Sequence, residues 1–272
     1  MENCIPQNYL NIPTDKVEDI LNRMYPVSLS EIQQISLMER VDTKFVAPFS
    51  ILPLLLEEMI PHFKALENNG KRIAPYCTQY LDTPNLRFYT MHHNRKLNRQ
   101  KIRIRSYPDS CLSFLEVKNK NNKGRTNKIR IPIHLSHIQS IEDLDTYREF
   151  LENNSVVDSR SLLPVLENEF KRITLINNNA TERITLDFDL SFNNYQTGRQ
   201  GNLPKLLILE LKQDGLSHSD FRDILNSLRI KKVSISKYCM GTTLTNPRVK
   251  YNRFKYKWVL VNKLTQEQYD SI

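Results

Sequence analysis

Cysteine and glycine are scarce in this 272-residue sequence, and each scarcity argues against a class of site. The four cysteines, Cys4, Cys77, Cys111 and Cys239, lie far apart and form no CxxC pair. This spacing argues against a zinc site and against a disulfide framework, and it favours isolated, reduced cysteines. The six glycines form no Gly-rich loop of the P-loop or Rossmann kind. Any phosphate must therefore be bound by side chains.

Long apolar runs and recognisable catalytic triads are also missing. No run of about 18 apolar residues occurs, so we expect no transmembrane segment. The N-terminus carries no basic-then-apolar signal segment, and we therefore expect a cytoplasmic protein. No Ser/His/Asp or Cys/His arrangement can be read from the sequence.

The charge is strongly one-sided, at a formal +9 with an isoelectric point near 9.3. A basic surplus favours an anionic partner, which could be nucleic acid, a phosphorylated small molecule or acidic lipid. Aromatic residues do not interleave with Lys and Arg in a stacking pattern, except in the tail from Tyr251 to Trp258. We therefore expect phosphate ligands, with an inositol phosphate among the candidates, rather than nucleic acid.

Several predicted strands carry charge on one face only. In each of them, charged or polar residues alternate with apolar residues at period two, so that residues i and i+2 face the same side. The segments are KIRIR at 101–105, LEVK at 115–118, NKIRI at 127–131, ERITLDFDL at 182–190 and LILELK at 207–212. Several mostly cationic strands with a few carboxylates indicate a sheet that closes around a polyanion and a metal ion.

The order of predicted elements indicates an α+β protein. Helices are expected at 15–24, 28–39, 48–63, 140–153 and 219–230, and strands at 40–47, 76–82, 87–92, 101–107, 112–118, 128–133, 164–176, 182–192 and 205–212. Strands in runs with helices between the runs predict a mostly antiparallel, eight-stranded, tunnel-like β-barrel with flanking helices. We assign residues 1–35 to an N-terminal helical segment, 36–262 to the barrel domain and 263–272 to a C-terminal tail.

The candidate site residues are cations that share a strand face with a neighbouring charge. Arg40, Asp42 and Lys44 lie on one face, as do Arg103 and Arg105, whose guanidinium groups can straddle adjacent phosphoryl groups. The turn NNKGRTN predicts a hairpin that brings like charges together, which a bound anion would relieve. The cations of this hairpin are Lys118, Lys120, Lys128 and Arg130, and its carboxylate is Glu116.

Carboxylates among these cations are either ion-pair partners or metal ligands. Arg172 and Arg183 accompany Asp187 and Asp189 in the second set of strands. Glu210 lies on an apolar strand that should be buried, and a buried carboxylate needs a partner. We favour contact with Mg²⁺ or Mn²⁺, which take one or two protein carboxylates plus phosphate oxygens. An ion pair with Lys212 or an arginine is the alternative.

Taken in order, these segments resemble the VTC domain, the polyphosphate polymerase branch of the triphosphate tunnel (CYTH-like) superfamily. The segments are RVDTKF, KIRIR, LEVK with KIR, FKR with ERITLD, LILELK and SKYC, and the resemblance covers about residues 36–262. It implies a tunnel-shaped antiparallel barrel, ATP as phosphoryl donor, polyphosphate as acceptor and product, and a divalent metal ion, usually Mn²⁺.

The resemblance also implies roles for individual residues. The lumen cations would be Lys44, Arg103, Arg105, Lys118, Lys128, Arg172, Arg183 and Lys237. The metal-binding residue would be Glu210. The shared strand faces themselves give further candidate phosphate contacts, Arg40, Lys120, Arg130 and Lys212. Lys232 is the nearest candidate for one more lysine of the family, although its spacing departs from the family pattern. A second departure is Phe170, which stands where the family often has tyrosine and removes one phosphate-directed hydroxyl.

Three other functions remain compatible with the sequence. A triphosphate or tripolyphosphate hydrolase of the same fold usually opens with Glu-x-Glu-x-Lys, whereas Arg40-x-Asp42-x-Lys44 stands here. A non-catalytic module that binds polyphosphate or inositol phosphate would hold the anion without releasing ADP. An RNA-binding protein would show affinity that depends on nucleic acid length.

Overall fold

The fold is built on one large, curled, mostly antiparallel sheet. The computed structural model describes residues 15–34, 40–123, 125–134, 147–215 and 218–266. The strands are β1 (Pro26–Val27), β2 (Arg40–Pro48), β3 (Phe63–Leu66), β4 (Ala74–Asp82), β5 (Arg99–Tyr107), β6 (Leu112–Lys120), β7 (Thr126–Ile133), β8 (Leu163–Asn177), β9 (Glu182–Asn194), β10 (Gln200–Leu203) and β11 (Leu206–Asp214).

Eight of these strands form one continuous path, in the order β2-β11-β9-β8-β4-β5-β6-β7. All neighbours on the path are antiparallel. Strand β10 adds to β9, and β3 joins β8 to the short parallel partner β1. The expected α+β class and eight-stranded antiparallel path are confirmed.

The path curls back on itself but does not close by strand pairing. Within the described ranges, β2 and β7 do not pair with each other. Glu210 on β11 and Lys118 on β6 are separated by four intervening strands, yet the Lys118 charge helps to lower the pKa of Glu210. The two ends of the sheet therefore face each other across a lumen, and the result is a tunnel with an open seam.

The outer edge of β2 pairs with a short segment that follows helix α6 (Asp220–Ser227). The Val233 N–H donates to the Lys44 carbonyl at 2.8 Å, and Lys232 forms an isolated bridge with Phe45. An unpaired strand edge exposes backbone donors and acceptors, and this short segment satisfies part of that edge.

Helices cover the outer face of the sheet and one end of the lumen. They are α1 (Asp15–Asn22), α2 (Leu29–Gln34), α3 (Leu52–Met59), α4 (Arg87–His93), α5 (Arg148–Asn154), α6 (Asp220–Ser227), α7 (Lys237–Thr245) and α8 (Lys255–Thr265). The period-two alternation places apolar residues such as Ile102, Ile104 and Val117 in a core outside the barrel wall. A second outer core packs α1, α3 and α6 against β2, β9 and β11.

Helix α7 packs closely against β8 and β9, with its first residue at the lumen. A side chain on Gly241 would overlap the Phe192 ring and Leu166, so only glycine allows the helix to approach this wall so closely. The Ser236 hydroxyl caps the helix by accepting the Cys239 N–H at 3.4 Å. This packing holds the first residue of the helix, Lys237, at the lumen.

One predicted strand is wrong, because residues 87–92 form helix α4. The Asp82 carboxylate accepts backbone N–H groups of Phe88 and Tyr89, each at 2.9 Å. These are donors that the first turn of a helix leaves without an internal partner. The helix therefore depends on a residue at the end of β4, which the local alternation pattern does not reveal.

Other element boundaries also differ from the sequence prediction. The helix expected over 48–63 is confined to α3, and the chain then enters β3, which was not predicted. The helices expected at 28–39 and 140–153 are seen as α2 and α5, and residues 35–39 and 135–146 lie outside the described residues. The hairpin predicted from NNKGRTN is confirmed by the pairing of β6 with β7.

Helix α1 packs into the same core as the barrel wall, through Val17, Ile20 and Leu21. The division into segments 1–35, 36–262 and 263–272 stays a prediction. Among the described residues, no helix has the length and apolar character needed to span a bilayer.

Candidate functional site

Strand register aligns the predicted cations in rows across the inner face of the sheet. Lys118 on β6 lies opposite Lys101 on β5 and Lys128 on β7, which makes a row of three lysines. In the next row, Glu116 lies between Arg103 and Arg130. Residues directly opposite on one face have their Cβ atoms about 4.5–5.5 Å apart, so each row concentrates charge.

The facing wall carries a second set of rows. Glu210 on β11 lies opposite Lys44 on β2, and Lys212 lies between Asp42 and Arg183. The structure therefore brings the predicted lumen residues of β2, β9 and β11 onto one wall and those of β5, β6 and β7 onto the other.

Asp187 anchors two of the predicted cations. Arg172 binds this carboxylate through two N–H groups, with its Nη2 atom 2.7 Å from Oδ2. The Lys237 ammonium contacts the same oxygen. Burial favours the neutral acid, but the positive charges of Arg172 and Lys237 hold the pKa of Asp187 below its ordinary value. Arg172 and Asp187 are ionised in this cluster, whereas burial lowers the pKa of Lys237 to about 7 despite its contact with Asp187.

Glu116 anchors a second pair of cations and is only 1 % exposed. It accepts from Arg103 at 2.7 and 2.8 Å and from Lys128 at 3.0 Å. Burial opposes its ionisation, yet the charges of Arg103 and Lys128 lower its pKa to about 2. Arg103 and Lys128 therefore have a counter-charge in the protein itself.

Three further cations make no ion pair with a carboxylate in the part of the chain that the structure describes. Arg105 is 7 % exposed and donates only to Thr78 Oγ1, at 3.2 Å. Lys101 donates to Ser236 Oγ at 2.9 Å. Lys118 faces the lumen opposite the lysines of β5 and β7.

Burial is the first cause that lowers the pKa of each of these three groups, and it also lowers the pKa of the paired lysines Lys128 and Lys237. For Arg105, burial and then the charges of Arg103 and Arg172 lower the pKa to about 10. For Lys101, burial and then neighbouring cations, including Lys44 and Lys118, lower the pKa to about 7. Burial also lowers the pKa of Lys118. An anion in the lumen would restore these pKa values.

Two stacked aromatic rings form a platform within this cationic site. Tyr76 and Phe170 stack with ring centroids 5.3 Å apart. The Arg172 guanidinium lies 4.8 Å from the Tyr76 ring, the Lys237 Nζ atom 4.2 Å from the Phe170 ring, and Arg105 about equally close to both rings, at 5.5 and 5.7 Å. The π-faces stabilise these cations and hold them in place. Phe170 thus keeps the ring contact that a tyrosine would supply and lacks only the hydroxyl.

Glu210 has longer ion pairs than Asp187 and Glu116. It lies 3.4 Å from Lys212 and 3.7 Å from Lys44, whereas Asp187 and Glu116 contact their arginines at 2.7 Å. Burial opposes ionisation, but the charges of Lys212 and Lys44 hold its pKa well below the ordinary value. An ionised oxygen donor that is 15 % exposed and only loosely paired fits a hard divalent cation.

The further candidate phosphate contacts lie at different places in the structure. Arg130 lies with its guanidinium 4.4 Å from the Phe114 ring, next to the Glu116 row. Lys120 stands near the end of β6, and Lys212 pairs with Glu210. Lys232 lines a separate cavity of about 540 Å³ beside α6, together with Arg222 and Arg229. The backbone of Arg40 pairs with β11, and its side chain lies outside the described residues.

Sequence reasoning missed several residues that complete the site. Lys101 belongs to the same period-two set as Arg103 and Arg105, so the available signal was sufficient to include it. Tyr76 could have been found from the alternation of Tyr76, Thr78 and Tyr80 on β4. The Ser236 contact to Lys101 spans 135 residues and depends on how α7 docks, so no local pattern announces it.

Comparisons with known proteins identify a family and some loose structural likenesses. A proposed adenylate cyclase from Bacillus halodurans is 13 % identical, with a TM-score of 0.47 over 75 % of this chain and 98 % of the other. A protein from Hippeastrum, described with a dominant triphosphatase activity, is 15 % identical, with a TM-score of 0.47 over 75 % and 94 %. The PH1819 protein of Pyrococcus horikoshii is 16 % identical, with a TM-score of 0.41 over 73 % and 96 %.

Likenesses at this level do not bear on activity. None of the curated proteins matches the sequence. The model of the VTC domain, in contrast, matches residues 39–246, which include β2 to β11, helix α6 and all eight cations first assigned to the lumen. Because this match spans far more than half of the sequence, the chain belongs to the VTC domain family.

Proposed function

We propose that this protein is a polyphosphate polymerase that transfers the γ-phosphoryl group of ATP to the terminal phosphate of a growing chain in the lumen and releases ADP. The observation that carries the proposal is a set of cations, one buried and two half-buried, that make no ion pair with a carboxylate in the described part of this VTC-family lumen: Arg105, Lys101 and Lys118. A chain of phosphates supplies the counter-charge that these groups lack.

The chemistry asks little of the protein beyond position and charge. Phosphoryl transfer depends mainly on alignment and on stabilising charge on the phosphoryl oxygens. The terminal phosphate of the acceptor is already an anionic oxygen at neutral pH, so no general base is needed. Arg105 and Arg172, which both lie against the Tyr76 ring, would hold adjacent phosphoryl groups through charge-assisted hydrogen bonds.

Glu210 is the residue that would hold a divalent ion in this lumen. Its carboxylate is ionised and its ion pairs are long, whereas Asp187 and Glu116 are fully engaged by arginine and lysine. A Mn²⁺ or Mg²⁺ ion at this position would neutralise phosphate oxygens on the substrate. Lys44 and Lys212 flank the carboxylate and would contact the same phosphates from either side.

We place the activity in the cytoplasm, where ATP is available. Cys77, Cys111 and Cys239 are all free thiols, which fits a reducing compartment. Polyphosphate and ATP are the partners that we assign, and an inositol phosphate would compete for the same cations.

The test is incubation of the full chain with ATP and Mn²⁺, followed by a gel that detects polyphosphate and by an assay for ADP. Chains that lengthen with time, together with ADP in matching amounts, support the polymerase. Orthophosphate with ADP and no chains would make the protein a hydrolase of the same fold. Tight binding of tripolyphosphate with no ADP would make it a binding module.

A further inference from the structure

The outer face of the β4–β8 wall carries a compact group of metal-ligating side chains. Cys77 on β4 lies directly opposite Glu169 on β8, and Gln79 lies opposite Glu167. These residues alternate with Tyr76 and Thr78, whose side chains contact the lumen cation Arg105. The group is therefore on the other side of the wall from the phosphate site.

The geometry of this group suits a tetrahedral ion. One ligand atom from each of Cys77, Glu167 and Glu169 lies within 4.8 Å of the other two. Zinc–sulfur and zinc–oxygen bonds of ordinary length place such ligand atoms about 3.3–3.6 Å apart. Side-chain rotations that move each atom by about 1 Å or less would close this difference, with no change in the strands.

Gln79 gives an independent reason to place a cation beside these side chains. The residue is 9 % exposed, and its Oε1 atom is buried with no hydrogen-bond partner among the described residues. Its Nε2 atom donates to Glu167 Oε2 at 3.1 Å, which fixes the amide beside the carboxylate. A buried carbonyl oxygen without a partner is costly, and a cation at this point would satisfy it.

Among the described residues, neither carboxylate of the group makes an ion pair with a cation. Glu167 and Glu169 share one strand face and lie beside the Cys77 thiol. Lys171, two residues further along β8, pairs with Asp189 at 3.1 Å. Tyr195 donates to Glu167 Oε2 at 2.7 Å and orients that carboxylate, as outer-shell partners of metal ligands do.

We propose that Cys77, Glu167 and Glu169, with the amide oxygen of Gln79, form a second metal site that takes Zn²⁺ or a similar ion. Thiolate ligands select such ions, whereas Mg²⁺ and Mn²⁺ prefer oxygen ligands such as the Glu210 carboxylate. Binding replaces the S–H bond of Cys77 by a sulfur–metal bond and releases that proton to solvent. The ion would link β4 to β8 behind the Tyr76–Phe170 platform.

The site escapes a search for sequence motifs because its ligands come from two strands 90 residues apart. The spacing of the four cysteines argues against a zinc site built from cysteines alone. Antiparallel register, rather than a CxxC pair, brings one thiol to two carboxylates.

The experiment is a titration of the metal-free full chain with Co²⁺, followed by absorption in the near ultraviolet. A thiolate-to-cobalt charge-transfer band should appear, saturate at one ion per chain, and disappear when Zn²⁺ but not Mg²⁺ is added. Cys77→Ser should abolish the band. Cys111→Ser is the matched control, because Cys111 is exposed and outside the group, and it should leave the band intact.

Two further variants protect the test from a folding defect. Glu169→Gln keeps the thiol and the shape of the side chain, and it should weaken Co²⁺ binding by more than the roughly tenfold that loss of an outer-shell partner costs. Glu210→Gln should leave the band unchanged, which separates this site from the lumen. The proposal is overturned if the wild type shows no band, if the band survives Cys77→Ser, or if it disappears in Cys111→Ser.

Discussion

Two sets of cations share this lumen and differ in what balances their charge. Arg172 and Lys237 are paired with Asp187, and Arg103 and Lys128 are paired with Glu116. The second set, Lys101, Arg105 and Lys118, makes no ion pair among the described residues; Arg105 is buried and the two lysines are half-buried.

The difference separates the task of folding from the task of binding. A buried ion pair that loses one partner leaves an uncompensated charge, so the paired set is tied to the stability of the protein. A buried cation without a partner lowers the stability of the free protein. An anion that binds to it forms charge-assisted hydrogen bonds, which offset this cost. We therefore expect substitutions in the two sets to have different consequences, although the residue types are the same.

The largest effect is expected at Glu210, whose ion pairs are longer than those of the paired set. Glu210→Gln should abolish metal-dependent turnover of ATP, because the carboxylate that would hold the ion is gone. Binding of metal-free tripolyphosphate should survive or tighten, since a negative charge has left the lumen. Assays of ADP release against Mn²⁺ concentration, with calorimetry in a chelator, measure both. Full turnover at limiting Mn²⁺ would make Glu210 an ion-pair partner only.

The next effect is a loss of stability when the paired set is broken. Arg172→Ala should lower the free energy of unfolding by about 3 kcal/mol, near the lower end of the range for a broken buried pair, because Lys237 remains beside Asp187. Urea unfolding can be followed through the fluorescence of Trp258, the single tryptophan, which is buried between α7 and the sheet. An unchanged unfolding midpoint would place Asp187 and Arg172 outside the folding role given to them.

Lys118→Ala should show the opposite pattern. Binding of tripolyphosphate should weaken by about 1.5–3 kcal/mol, or roughly ten- to a hundredfold, while the unfolding midpoint stays the same or rises. Lys123→Ala removes an exposed lysine from the turn that follows β6 and is the matched control for net charge. Equal losses of affinity in the two variants would mean that overall charge, rather than the lumen, attracts the ligand.

The smallest effect is a pH dependence to which Lys101 contributes together with Lys237, whose pKa is likewise lowered by burial to about 7. The Lys101 pKa of about 7 in the free protein should rise when phosphate binds, so the complex holds a proton that the free protein lacks. Affinity for tripolyphosphate should therefore fall as pH rises above 7, by up to about tenfold per pH unit. Lys101→Arg stays charged and should flatten this slope, whereas titration of the ligand itself affects both proteins alike. Identical slopes would contradict the assignment.

Much of the wall could be predicted from sequence because strand periodicity is local. Alternation at period two was enough to place Arg103 and Arg105 on one face and to predict the hairpin that carries Lys118 and Lys128. The eight-stranded path and its antiparallel pairing are confirmed.

What could not be predicted depends on contacts between distant segments. The choice of Asp187 as partner for Lys237 requires α7 to dock at the lumen, 50 residues later in the chain. The local sequence pattern predicts a strand where helix α4 lies, because the carboxylate that caps this helix, Asp82, belongs to another element. Which cations remain unpaired is likewise a property of the folded sheet, and no spacing in the sequence encodes it.

The most direct test of this division is a calorimetric titration of tripolyphosphate, without metal, into the wild type, Arg105→Ala and Arg172→Ala, with urea unfolding of the same three proteins. Arg105→Ala should bind about tenfold or more weakly and unfold at the wild-type midpoint or above it. Arg172→Ala should lose about 3 kcal/mol of stability. If Arg105→Ala instead binds as the wild type does, or if the two variants lose stability equally, the division between paired and unpaired cations is wrong.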